Sequence, residues 1–156
     1  MDRRPVGVFD SGLGGISVLR ACVRLLPQEN FLFFGDSANA PYGEKSLDQV
    51  RALTLSAVDR LLEQGVKGIV VACNTATSAA IGLLRQLHPG LPIIGIEPAV
   101  KPAALAAGSS SVIVMATPLT IREDKYQKLA AAFCGHANVI SLPCNCLLYT
   151  SPSPRD

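Results

Sequence analysis

The chain has 156 residues, 49% hydrophobic and 17% charged, with a formal net charge of +2. That length and balance suit one ordinary globular domain or two incomplete ones and exclude a wholly disordered chain. The basic residues are scattered, with no aromatic-interleaved cluster, which argues against a nucleic-acid surface, and no uninterrupted apolar run approaches the ~20 residues of a membrane span. Met1-Asp2-Arg3-Arg4-Pro5 leads straight into an apolar run without a signal-peptide pattern, so a cytoplasmic protein is expected. The five cysteines are odd in number and irregular in spacing, which argues against a disulfide framework. His88 and His136 have no metal-ligand spacing to them, and no metal site is expected.

Val6 to Phe9 reads as a first strand, ending at Asp10-Ser11 and the glycines 12, 14 and 15. Ile16, Leu19, Cys22, Val23 and Leu26 then recur at helical spacing up to Pro27. Phe31 to Phe34 is a second strand, closed by Gly35-Asp36 and the loop A-N-A-P-Y-G. Ser46, with Gln49 three residues later, forms a capping box for a helix that runs to Gly65. Ile69 to Val71 is a β-branched run that reads as a strand buried on both faces. It ends at Cys73, and Asn74, Thr75 and Thr77 open the next helix, with Asn74 and Thr75 as ordinary N-cap candidates.

Pro92 to Ile96 reads as a fourth strand, followed by an Ala-rich helix opening at Glu97-Pro98. Ser111 to Met115 is a fifth strand. Thr120 and Glu123 are expected to form a second capping box, for a helix carrying Tyr126, Leu129, Ala130 and Phe133, and Val139 to Leu142 is a sixth strand. Strands alternating with helices throughout imply an α/β fold with a doubly wound parallel sheet. A weak internal echo between the first and fifth strands suggests two similar lobes, residues 1–97 and a partial second lobe at 98–145.

The polar residues cluster where strands end. Asp10-Ser11, Asp36 with Tyr42-Gly43, and Cys73-Asn74-Thr75 would share one edge of a parallel sheet. Placing the first strand between the second and third would gather them into one pocket. D-S-G-L-G-G is neither a Walker motif nor a full dinucleotide fingerprint, and by itself reads equally as an anion-holding turn or a capped tight turn. Cys73 alone reads as an inert, buried thiol, because free cysteine is among the most buried residue types.

V-F-D-S-G-L-G-G, G-D-S-A-N-A-P-Y-G and V-A-C-N-T-A-T-S resemble the three N-terminal motifs of bacterial glutamate racemases, within the cofactor-independent aspartate/glutamate racemase superfamily, and A-T-P-L-T-I-R-E-D-K-Y resembles a later substrate-contacting segment. The resemblance covers about residues 6 to 144. It implies two pseudosymmetric α/β lobes with the site between them, the second lobe cut short here, and a role in supplying D-glutamate for peptidoglycan. Cys73 resembles one of two catalytic thiols and Asp10 the carboxylate that assists it. Asp10, Ser11, Tyr42, Gly43, Asn74, Thr75, Thr117 and Thr120 resemble substrate-binding positions. No cofactor is implied, glutamate is the expected small-molecule partner, and a homodimer is allowed at full length. Aspartate racemase, another superfamily isomerase and a noncatalytic anion-binding α/β module are the alternatives.

Racemisation removes the α-proton from one face of an amino acid and returns one to the other, so an acid and a base must flank the substrate. The carbanion needs hydrogen bonds at the α-carboxylate, which Asn74, Thr75 and a helix N-terminus could supply. A neighbouring carboxylate raises a thiol pKa, so Asp10 is expected to receive or hold the Cys73 proton rather than stabilise a resting thiolate. The family's second thiol, in a G-C-T-H-Y-P-like motif, has no counterpart in these 156 residues. Cys144 matches a different, upstream segment, and the chain as given is expected to be inactive. Residues 146–156, C-L-L-Y-T-S-P-S-P-R-D, break the strand-helix pattern, and one back-translation of them resembles the transposase adapter used in DNA library preparation. They are expected to be a translated scar rather than native sequence.

Overall fold

A computed structural model describes residues 2–108 and 110–145, and the expected scar at 146–156 lies outside the described residues. Strands and helices alternate in the order β1 (Val6–Asp10), α1 (Ile16–Leu25), β2 (Phe31–Gly35), α2 (Leu47–Glu63), β3 (Gly68–Val71), α3 (Asn74–Leu87), β4 (Ile93–Gly95), α4 (Val100–Ala107), β5 (Ser111–Ala116), α5 (Pro118–Arg122), α6 (Asp124–Phe133) and β6 (Asn138–Pro143). Two single-turn 3-10 helices, Ser37–Asn39 and Tyr42–Glu44, shape the loop after β2.

The strands form two parallel sheets, one in the order β2-β1-β3-β4 and one pairing β5 with β6. Strand β1 lies between β2 and β3, with Phe9 opposite Phe34 on one side and Val71 on the other. This follows from composition: Val8, Phe9, Ile69 and Val71 are apolar on both pleat faces and fully or almost fully buried. Helix α2 covers these strands with Val50, Ala57, Val58 and Leu61, and α3 with Ala76, Ala79, Ile81 and Leu84. A smaller core joins Val100, Val114 and Tyr126, with Leu129, Phe133 and Val139 packed against it. Its one buried hydroxyl is satisfied, since Tyr126 Oη and Ser141 Oγ are 2.6 Å apart.

The β5–β6 ribbon is covered on one side only. Ile113 stands opposite Ile140 and Met115 opposite Leu142. These four side chains are 61%, 44%, 53% and 45% exposed. Helix α1 has no buried residue, and Leu25 is 79% exposed. Among the described residues no helix is long and apolar enough to cross a membrane, and no group of three or more His, Cys, Asp or Glu could hold a metal.

The first capping box is present: Ser46 Oγ accepts from the Gln49 N–H at 3.2 Å and Gln49 Oε1 accepts from the Ser46 N–H at 3.0 Å. Replacing Ser46 with Ala is expected to cost about 1 kcal/mol, read as a lowered Tm. The second expected box is absent. Thr117, not Thr120, caps α5, its Oγ1 accepting from the Thr120 N–H at 3.3 Å. Pro118 explains the shift, because proline suits the first helical position and places the cap one residue earlier. The helix expected to run through 133 also breaks at Glu123, whose extended backbone ends α5 and starts α6 without a side-chain cap. The Ala-rich helix starts at Val100, later than Glu97-Pro98, and β4 spans only Ile93–Gly95.

Candidate functional site

Because the strands of the first sheet are parallel, β1, β2 and β3 deliver their last residues to one edge. Asp10 ends β1, where the chain must turn sharply into α1. Its Oδ2 accepts from both the Gly12 and Gly15 N–H groups at 3.1 Å, so one carboxylate oxygen holds the turn. A Cβ at Gly15 would stand 2.6 Å from Asp10 Cβ and 3.1 Å from Ala72 Cβ, so only glycine lets this turn lie against the end of β3.

Cys73 follows β3 and is the N-cap of α3, the place expected for Asn74 or Thr75. Its Sγ accepts from the Ala76 N–H at 3.4 Å and its thiol donates to Ser11 Oγ at 3.3 Å. The sulfur already satisfies a helix N–H, so neither neighbour need cap, and Asn74 is exposed while Thr75 is buried. Burial is the largest influence on the thiol and pushes its pKa up. The hydrogen bonds with Ser11 and Ala76 pull it down, and the charge of Asp10 pushes it up. The resting group is therefore a neutral thiol.

Because the folded pKa lies above the unfolded value of about 8.5, the stability this gives is fully present below pH 8.5 and is lost as pH rises through the folded value. The alkylation rate of Cys73 is expected to keep climbing above pH 9 rather than level off. Ser11→Ala removes a bond that favours the thiolate and should move the profile further upward, as iodoacetamide kinetics against pH would show.

Tyr42 is buried, with its ring 6.2 Å from that of Phe9. Its hydroxyl donates to Asp36 Oδ2 at 2.7 Å, and Asn39 Nδ2 donates to both oxygens of the same carboxylate. Burial and then Asp36 push the phenol far above its ordinary pKa, so it stays protonated. What Tyr42 offers to a ligand is its ring and backbone, since the hydroxyl is occupied. Asp36 was expected only as one of the polar groups at the strand ends, and Asn39 was not expected at the site. Their D-x-x-N spacing ahead of P-Y-G was the available signal. A Cβ at Gly43 would stand 2.5 Å from Thr117 Cγ2, which marks the close approach of the β2–α2 loop to α5.

The single pocket expected around Cys73 is instead two adjoining cavities. The larger, about 610 Å³, is lined by Asp10, Cys73, Asn74, Thr75, Thr117 and Thr120 among others. The second, about 440 Å³, is lined by Asp10, Ser11, Tyr42, Gly43, Thr75 and Thr117, and also by Cys144. Asp10, Gly14, Thr75 and Thr117 line both. The wall between them exists because Thr75, on the first turn of α3, meets Thr117 and Thr120 from the other sheet: the Oγ1 separations are 3.1 Å for 75–117, 2.9 Å for 117–120 and 3.4 Å for 120–75. Cys144 lines only the second cavity, its thiol directed to the Leu142 carbonyl at 3.6 Å.

These groups can hold and transfer a proton at one sulfur, with a carboxylate and a hydroxyl beside it. The first amides of α3 can receive an anion: Ala76 N–H is taken by Cys73 Sγ and Thr77 N–H by Cys73 O, which leaves the Asn74 and Thr75 amides.

The chain is 53% identical over 141 residues to a glutamate racemase of Clostridium botulinum, covering 90% of this chain and 55% of that protein. Its fold matches a Francisella tularensis glutamate racemase solved with D-glutamate, at TM-score 0.78 and 31% identity over 96% of this chain and 56% of that one. It also matches an Escherichia coli glutamate racemase solved with L-glutamate and the activator UDP-MurNAc-ala, at TM-score 0.77 and 33% identity over 90% and 53%. The chain thus spans about half the length of the relatives it matches. Residues 6–149 match the family model described as Asp/Glu/Hydantoin racemase, and the chain belongs to that family.

Proposed function

We propose that this chain carries the Cys73 half of a glutamate racemase site, one that interconverts L- and D-glutamate by proton transfer at two thiols. The observation that supports this most is the placement of Cys73: a neutral thiol between the Ser11 hydroxyl and the N-terminus of α3, on the wall of a cleft also lined by Asp10. Cys73 acts as the proton-transfer group for one face of the α-carbon, and Asp10 takes up its proton when the thiolate forms. The Asn74 and Thr75 amides bind a substrate carboxylate, while Ser11, Tyr42, Gly43, Thr117 and Thr120 complete the wall.

Residues 1–97 would form one lobe and 98–145 part of a second. The setting proposed is the cytoplasm, the product D-glutamate for peptidoglycan, and the full-length assembly a homodimer. The test is alkylation of Cys73 in the 156-residue chain, followed by peptide mapping. Protection by glutamate, with none from aspartate or phosphate, is expected. Equal protection by phosphate would favour a plain anion-binding module, and no protection by any of them would overturn the proposal.

A further inference from the structure

The three threonine hydroxyls at the wall between the cavities all lie within 3.4 Å of one another. Thr75 and Thr120 are buried, and no buried polar side-chain atom among the described residues lacks a partner. Each hydroxyl has one proton and can accept, so the three satisfy one another in a closed ring, each donating once, with Thr117 Oγ1 also accepting from the Thr120 N–H. Thr75 belongs to α3 on the four-stranded sheet, whereas Thr120 belongs to α5 and Thr117 caps it, in the connection between β5 and β6. The side-chain hydrogen bonds described between α3 and α5 are the two that Thr75 makes.

We propose that Thr75, Thr117 and Thr120 act as a single clasp that positions α5 against the N-terminus of α3 and so sets the width of the cleft beside Cys73. Thr120 is thus a positioning residue for Thr75 and Thr117, whatever contacts it makes with a ligand. The clasp bears on the site proposed above, but its test without ligand does not depend on glutamate being the occupant.

The geometry predicts unequal and non-additive effects. Removing the Thr75 hydroxyl breaks both bonds between the two sheets' helices. Removing that of Thr120 breaks one of them and the bond to Thr117, leaving Thr75 and Thr117 joined.

The experiment is hydrogen exchange at the Ile121 and Glu123 amides of the 156-residue chain, whose acceptors are Thr117 O and Leu119 O, together with the rate of Cys73 alkylation. Thr75→Val should raise both by about tenfold and Thr120→Val by about threefold. The double variant should match Thr75→Val, and Thr75→Ser and Thr120→Ser should restore wild-type values. Where a Val variant does not fold, the corresponding Ala variants are measured in the same cycle. Hydroxyl-free variants that exchange like wild type, effects that multiply in the double variant, or Ser variants that fail to restore would overturn the clasp. Protection of Cys73 by D-glutamate, measured separately, tests the site's occupant and leaves the clasp untouched.

Discussion

Incubated with L- and D-glutamate in D₂O, the 156-residue chain is expected to incorporate deuterium slowly into one enantiomer and to leave optical rotation essentially unchanged. Two opposed proton-transfer groups are needed, and among the described residues Cys73 is the thiol that caps α3 and lies in the cavity with Asp10 and Asn74. Cys144 lies along the neighbouring cavity, which Asp10 also lines, with its thiol turned to the Leu142 carbonyl. A positioned general acid or base contributes roughly 10²–10⁴-fold, so a site with one of the two should retain at most about a hundredth of full turnover. Mass spectrometry and polarimetry on the same samples separate exchange from racemisation. Full interconversion at an enzymatic rate would show that Cys144 or another group in this chain serves the second face. The exposed Ile113, Met115, Ile140 and Leu142 face makes association of the purified chain an expected complication, visible by light scattering.

Most of the first sheet was legible because its strands are short β-branched or aromatic runs closed by glycine or polar residues. The 3.6-residue period between them could only be helix. Placing β1 between β2 and β3 is the order that would bring the polar strand ends together, and it is the order found, although no local pattern requires it.

What sequence could not show was how hydrogen bonds would be shared. T-x-x-E at Thr120 looked like a cap, but T-P-x-T three residues earlier competes for the same helix start and wins, because Pro118 has no N–H to satisfy. Asn74 and Thr75 looked like caps because their oxygens are good acceptors. The Cys73 sulfur reached the Ala76 amide first, a role its residue type does not advertise. Tyr42 was read as a ligand contact, and only the three-dimensional placement of Asp36 shows its hydroxyl already occupied. The division of the site by a threonine wall depends on contact between residues 42 and 45 positions apart, which no local pattern encodes.

Asp10 has a structural role and a chemical one, and two substitutions are expected to separate them. Its Oδ2 carries both turn bonds, to Gly12 and to the buried Gly15 amide. Asp10→Ala leaves those N–H groups without an acceptor and should destabilise the fold by about 2 kcal/mol, seen as a lower denaturation midpoint. Asp10→Asn keeps an acceptor oxygen at the same place, so most of that stability should remain. Its effect is electrostatic: the Asp10 charge raises the Cys73 pKa, so removing it lowers the pKa and should speed alkylation of Cys73 at a fixed pH near 8. The same change removes the group that takes up the thiol proton, and deuterium uptake into glutamate should fall. Unfolding would also expose the buried thiol and abolish exchange, so the combination reports on chemistry only where the Asp10→Asn variant keeps its cooperative denaturation transition. Slower alkylation in a folded Asp10→Asn variant would mean that Asp10 does not act on Cys73 through its charge. Undiminished deuterium uptake would mean that it is not the proton acceptor.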